Sequence, residues 1–449
     1  MEAETPVKEI HFVINIGCSD AREGGPLYSA VKDIIIEKYR EQGIAIDYSR
    51  ISSAGTFITR DIKEEVNVAI HKKIYYAGQK YGDALYFGEV TKGEREAGMI
   101  PLRIFINIST HGDARLVTDA TGNLFSPTEI TINPNSPYNC GMLGAAGVWE
   151  EMIREMQGSK ALQFSYFDHE RGEKVSFPID SLDALKVMLS KYYGYNGVVA
   201  NDFVRSIDDL KLHAVRQKQI LREAIEKNPH LSHLIIHITA AVNNYPEYRY
   251  FRVDENNHVT GVLDHIYLAI RRVIEGGVIP ADSPYIVKKG EKQNPVVGVM
   301  QAPDIPGAKA LAIKTAIDRG YVKDVTEYQA GQVFSVSGVG LARPYSPFDP
   351  YQLAGTYYSI RHLGIGTYFA IGRDATEASM IVRKIRSDPI MGFFMDKYNV
   401  NIVPLSAGDF KEKPYQMDAE TKGKLKEFLT HFKPVSSELR VPKQQRLKV

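Results

Sequence analysis

Cysteine and tryptophan are nearly missing from this chain: two and one, respectively, among 449 residues. So few thiols exclude a disulfide-stapled scaffold. A chain of this length needs no staples, since at about 150 residues per domain it makes two or three domains with cores of their own. Net charge is equally scarce. With 55 basic residues against 54 acidic ones, the sequence exerts no general pull on nucleic acid or anionic lipid, which leaves small molecules or proteins as the expected partners. Nowhere is there a run of about 20 apolar residues to span a bilayer. The opening Met1-Glu-Ala-Glu-Thr-Pro6 has neither the basic segment nor the apolar core of a secretory signal. Together these absences predict a soluble, cytoplasmic protein with no membrane or nucleic-acid partner. In that compartment thiols stay reduced and serve metals or chemistry more often than disulfides.

The two cysteines that are present sit in chemically loaded contexts. Cys18 follows the apolar run Phe12-Val-Ile-Asn-Ile16 and opens Cys18-Ser-Asp20-Ala-Arg22. A thiol just past a strand, with a carboxylate two residues on and a guanidinium four residues on, reads as half of a metal site with its own charge control. Cys140 lies in Asn139-Cys-Gly-Met142. After it Leu143, Ala146, Trp149, Ile153 and Met156 recur at helical spacing, which predicts a helix with Cys140 near its N-terminus, where the dipole and free N–H groups lower a thiol pKa.

Around these motifs the pattern predicts an α/β fold. Residues 10–17 and 102–108 are apolar enough to be strands buried on both faces, and residues 27–41 and 61–79 have helical patterning. Parallel sheets of this kind bind ligands at the carboxyl ends of their strands. Cys18 and His111 both fall just past such ends. A hairpin is expected over residues 114–125, two strand-like runs over 162–177, a helix over 207–226 opened by the capping pattern from Ser206, and a strand over 230–238. Residues 280–294 read as a linker. Further strands are expected at Val296–Met300 and Thr367–Ile371, and residues 436–449 form a basic tail.

Cys18-Ser-Asp20-Ala-Arg22 after a buried strand, then Ser53-Ala-Gly55, then a strand ending near His111, then Asn139-Cys140-Gly-Met opening a helix, resembles the β-class carbonic anhydrases. That family has Cys-x-Asp-x-Arg, a later Asn-Ala-Gly element and His-x-x-Cys-Gly. The resemblance implies a zinc ion on Cys18, His111 and Cys140, a gatekeeping pair Asp20 and Arg22 as catalytic residues, and substrate binding near Ser53 and Gly55. Two departures stand out: residues 112–139 separate the histidine from the second cysteine, and Ser53 stands where the family has asparagine.

A second, weaker resemblance covers Gly331–Gly338 and Tyr358–Met380. Here Arg373-Asp-Ala-Thr376 replaces the family's His-x-x-Cys, and Met300–Pro306 has no cysteine. The implied architecture is a parallel-sheet core flanked by helices, duplicated as an intramolecular pseudodimer with one zinc site. Its domains would be 1–180 with the site, a middle segment 181–290 of unassigned role, a degenerate copy over 291–435, and the tail.

Two thiolates and one imidazole leave zinc a fourth tetrahedral position for water, the arrangement of catalytic sites. Bound water then ionises near pH 7. Asp20 would either accept a hydrogen bond from that hydroxide or occupy the fourth position, and Arg22 would choose between the two states by pairing with it. The expected reaction is a lyase-type hydration of carbon dioxide to bicarbonate, with carbonyl sulfide or carbon disulfide as variant substrates. The residues also admit plainer roles: Cys18 as a core thiol, Cys140 as a packing residue beside Gly141, His111 as a loop histidine. On that basis the competing expectation is a catalytically inactive pseudoenzyme that reuses the fold for assembly. Self-association into a homo-oligomer is compatible with either.

Overall fold

The computed structural model describes residues 5–18, 26–53, 56, 58, 60–88, 90–113, 146–157, 163–168, 172–178, 181, 184, 207–245, 249–253, 261–278, 296–302, 305, 307–321, 333–336, 348, 350–361, 364–411 and 417–431. Its strands are β1 Glu9–Cys18, β2 Ile44–Ser53, β3 Leu85–Tyr86, β4 Ile100–Asp113, β5 Gln163–Asp168, β6 Glu173–Pro178, β7 Ile236–Tyr245, β8 Arg249–Arg252, β9 Val297–Gln301, β10 Val333–Val336, β11 Thr367–Gly372 and β12 Asn401–Ser406.

The protein is α/β, with parallel strands flanked by helices. One sheet runs β2-β1-β4-β7-β8, with the short β3 against β4, and a second runs β10-β9-β11-β12. Within the first sheet, β2, β1, β4 and β7 are mutually parallel and only β8 is antiparallel. In the second, all four strands are parallel. Leaving aside the short β3, itself parallel to β4, the four parallel strands of each sheet lie in the same order: second, first, third, fourth along the chain. β5 and β6 pair separately as an antiparallel ribbon, as their flanking charged turn predicts.

Alternation along the first sheet sorts its side chains into two cores. Ile10, Phe12, Ile14 and Ile16 of β1, with Leu102, Ile104, Ile106 and Ile108 of β4, pack under helices Arg60–Tyr81 and Ile207–Glu226. Val13 and the opposite face meet helices Pro26–Glu41 and Val262–Glu275. Burial on both faces explains why β1 and β4 read as predominantly apolar runs.

Three segments are used away from their sequence neighbours. Residues 207–275, from the middle of the chain, supply β7, β8 and two covering helices to the first sheet. Helix Ala146–Met156 instead buries Met152, Ile153 and Met156 in the core of the second sheet. From the far end of the chain, Leu425 and Leu429 return to the core of the first sheet, where the Lys38 ammonium donates to the Leu429 carbonyl.

Several boundaries differ from the sequence expectation. β4 runs on to Asp113, so His111 is within the strand rather than past it. β7 starts at Ile236, because Asn228 turns the chain: its carbonyl accepts from Leu231 N–H and its side chain from His230 N–H. β2 was not legible as a strand at all. Its run Ile44-Ala-Ile-Asp-Tyr-Ser-Arg-Ile-Ser-Ser53 mixes polar residues on both faces, as an edge strand does. The expected hairpin, linker and tail lie outside the described residues.

Candidate functional site

The four long parallel strands of the first sheet, β2, β1, β4 and β7, end at one edge. Cys18 is the last residue of β1 and sits opposite Ser53, the last residue of β2. On its other side β1 pairs with β4, Gly17 opposite Ser109, and β4 continues past that point to place His111 opposite Asn243 of β7. The register thus gathers three of the sequence-predicted positions, Cys18, Ser53 and His111, onto one carboxyl edge of neighbouring strands. Of these, Ser53 is buried. Asp20, Arg22, Gly55 and Cys140 lie outside the described residues. Among the described residues, no three histidine, cysteine or acidic side chains cluster as a metal group.

Directly behind this edge the sheet carries amides where apolar side chains would be the default. Asn15 and Asn107 are each 1% exposed, and Ser109 is fully enclosed. Such groups are costly to bury unless hydrogen-bonded, and here they are. Asn107 Nδ2 donates to Asn15 Oδ1 at 3.1 Å, Thr239 Oγ1 donates to Asn107 Oδ1 at 2.9 Å, and Asn15 Nδ2 donates to the Tyr267 hydroxyl at 3.3 Å. Ser109 Oγ lies 3.2 Å from the same hydroxyl. The geometry follows from register: Asn15, Asn107 and Thr239 are direct partners across β1, β4 and β7, on strands about 4.8 Å apart, so one short side chain reaches the next.

Tyr267 also packs its ring 5.7 Å from that of Tyr28, whose hydroxyl lies 3.1 Å from that of Tyr48. Burial, and after it the neighbouring phenols of Tyr48 and Tyr267, push the Tyr28 pKa well above its usual value. Tyr28 therefore acts as a neutral hydroxyl near pH 7, orienting its neighbours rather than carrying charge.

On the other side of the edge, three residues past Ser53, Thr56 is fully buried with φ 58°, one of two non-glycine residues at positive φ among the described residues. Its hydroxyl has no hydrogen-bond partner among the described residues. Two residues on, Ile58 N–H donates to Oε1 of the buried Gln217 at 2.8 Å, which ties this turn to helix Ile207–Glu226.

The opposite, amino end of the sheet is a structural charge cluster. Glu9 accepts from His11 Nε2 at 2.9 Å and from Arg103 Nε at 2.7 Å. His237 stacks on Phe105, ring centroids 5.0 Å apart, and Tyr39 hydroxyl lies 2.8 Å from His265 Nδ1. Burial lowers both histidines to about 4; Arg103 and His11 add to the effect at His237, while Asp264 opposes it at His265. Of the three histidines at 230, 233 and 237, only His237 faces this cluster; His230 and His233 are exposed in the preceding turn.

In the second sheet the loop after β11 is occupied by helix capping. Asp374 caps helix Ala375–Ser387 by accepting from Glu377 N–H at 2.8 Å, and Glu377 in turn takes Arg373 in a 2.6 Å ion pair. The Arg373–Thr376 run, with no histidine or cysteine, is a structural turn.

Asn15, Asn107, Tyr267, Thr56 and Gln217 were not marked by the sequence reading. A signal existed for the first two, since each is a lone amide inside an apolar strand. For Tyr267 and Gln217 there was none, because each reaches the edge from a distant helix. Comparison of the chain with protein-family models, curated proteins and solved structures returned no match.

Proposed function

We propose that this chain is a zinc-dependent hydratase of carbon dioxide, built on a duplicated β-carbonic-anhydrase-like fold in which only the first copy is active. The observation that carries this reading is the register of β1 on β4 and β2, which brings the ends bearing Cys18, His111 and Ser53 to one sheet edge. The common order of the parallel strands in the two sheets supports the duplication. The capping role of Asp374 and Glu377 supports loss of the site in the second copy.

The donor set fits the metal. Two thiolates and one imidazole are the soft and borderline ligands zinc takes, and Cys18 and His111 stand on hydrogen-bonded neighbouring strands about 4.8 Å apart. Cys140 would complete the set. Bound there, zinc would lower the pKa of water toward about 7 and so supply a nucleophile at neutral pH. Asp20 would accept a proton from that water in a hydrogen bond and orient it, with Arg22 holding the carboxylate in place. The Asn15–Asn107–Thr239 row and Tyr267 keep the strand ends rigid beneath the site and present no competing charge. The setting is a reducing, cytoplasmic one, the substrate a small neutral molecule and the product bicarbonate; carbonyl sulfide and carbon disulfide are alternative substrates of the same geometry.

Metal analysis of the purified protein tests this first. One zinc per chain is expected, lost in both Cys18→Ser and Cys140→Ser, together with stopped-flow hydration activity abolished by the same changes. A zinc-free protein, or zinc that survives both substitutions, removes the enzymatic reading and leaves the assembly role.

A further inference from the structure

Two independent costs coincide at Thr56. A β-branched residue is poorly suited to the left-handed region, yet Thr56 is held at φ 58°. A buried hydroxyl is expected to find a partner, yet Thr56 Oγ1 has none among the described residues, although the residue is 0% exposed. Neither cost is required by the fold, since glycine would remove the strain and valine or alanine the unpaired hydroxyl. Strained, unsatisfied residues of this kind collect where a ligand is to be met.

Residues on either side of Thr56 are anchored. Ser53, three residues earlier, is the buried end of β2 and the register partner of Cys18. Ile58, two residues later, is fully buried in the core, and its N–H is held by Gln217 Oε1 at 2.8 Å. Gln217 is itself 1% exposed, and helix Ile207–Glu226 anchors it through Leu221 and Ile225 in the same core. Thr56 thus lies between two anchored residues, Ser53 and Ile58, next in sequence to the carboxyl edge where open parallel sheets receive ligands.

We propose that the Thr56 hydroxyl is a substrate contact that donates a hydrogen bond to an oxygen of bicarbonate at this edge, and that Gln217 is the positioning residue that holds it there. The choice of bicarbonate rests on the hydratase reading; the contact itself rests on Thr56 and its anchored neighbours.

The test compares wild type, Thr56→Val and Thr56→Ser, with zinc content measured on each sample. Two quantities are read: the rise in melting temperature on adding bicarbonate, and the KM for bicarbonate in the dehydration direction. Thr56→Val keeps the shape and deletes the hydroxyl, so it should fold at least as stably as wild type without ligand. It should weaken bicarbonate about tenfold, the worth of one hydrogen bond, and lose most of the thermal shift. Thr56→Ser should stay close to wild type in both. Gln217→Leu should weaken bicarbonate in the same sense while leaving kcat less affected than KM. A Thr56→Val protein with the full bicarbonate shift and unchanged KM overturns the proposal, as does a wild type indifferent to bicarbonate. Zinc-free protein with a Thr56-dependent bicarbonate shift would instead sink the hydratase reading and leave the contact standing. Active zinc protein that ignores Thr56→Val would do the reverse.

Discussion

The side chains of Asn15 and Asn107 meet face to face across β1 and β4, Nδ2 of one 3.1 Å from Oδ1 of the other, with both residues at 1% exposure in the middle of the sheet. Each is the other's register partner and each also serves a third group, Tyr267 or Thr239. A pair of this kind is stable only when complete.

Asn107→Leu should therefore destabilise the protein by roughly 2–4 kcal/mol, since it leaves Asn15 Oδ1 and Thr239 Oγ1 without their partner. Adding Asn15→Leu should cost less than the sum of the two single changes, because the second substitution removes a group already orphaned. Urea denaturation of the four proteins decides it, and strict additivity would mean that the amides are not coupled.

Beside the buried Met152, Ile153 and Met156, helix Ala146–Met156 offers the second sheet's helices a carboxylate with several partners. Glu155 accepts from Tyr357 hydroxyl at 2.8 Å, Tyr398 hydroxyl at 2.5 Å and Lys397 Nζ at 2.7 Å. Burial raises its pKa, but the bonds from Lys397, Tyr398 and Tyr357 outweigh it and hold the carboxyl below its usual value. A depressed carboxylate contributes stability above its unfolded pKa and loses it as the pH falls through the folded one. Glu155→Ala should lose about 2–3 kcal/mol at pH 7, with the difference from wild type shrinking below about pH 4. A mutant gap that stays constant from pH 7 to pH 3 would remove this assignment.

His237 and His265 set the response to milder acid. Both are held neutral, with folded values of about 4 against an unfolded 6.5. The unfolded chain binds more protons between those values, so stability is full above about pH 6.5 and falls as the pH drops toward 4, by at most about 3 kcal/mol per histidine. His237→Phe, which keeps a ring against Phe105, should flatten that slope without lowering stability at pH 7. Urea midpoints at pH 7.5 and pH 5 measure it; an unchanged slope in the variant would assign the acid sensitivity elsewhere.

Gly298 of β9 has no room for a side chain, because a Cβ there would overlap ring carbons of Tyr368, which is fully buried on the neighbouring β11. Gly298→Ala should lower stability by about 3 kcal/mol through overpacking, and should leave the proposed zinc site untouched because the strain lies in the second sheet. Thermal unfolding with metal analysis of the same sample tests both halves, and wild-type stability would show that Tyr368 can move aside.

The sequence by itself determined β1 and β4, because strands buried on both faces are predominantly apolar, and it marked Cys18 because cysteine is scarce and His111 because it falls near the end of the second such strand. Asn15 and Asn107 were present in it as lone amides inside those runs but were not marked. Helix Ile207–Glu226 was legible from its periodicity and its opening cap. None of this could show where that helix docks. Periodicity and capping are local, whereas the choice of partner is made by distant surfaces: Tyr267 reaches Asn15 across 252 residues and Gln217 reaches Ile58 across 159. Only the tertiary structure decided that the middle of the chain completes the first sheet, that helix Ala146–Met156 leaves it for the second, and that Thr56 is buried and strained beside the edge that ends in Cys18. Burial and strain are properties of the assembled neighbours, and no residue carries them alone.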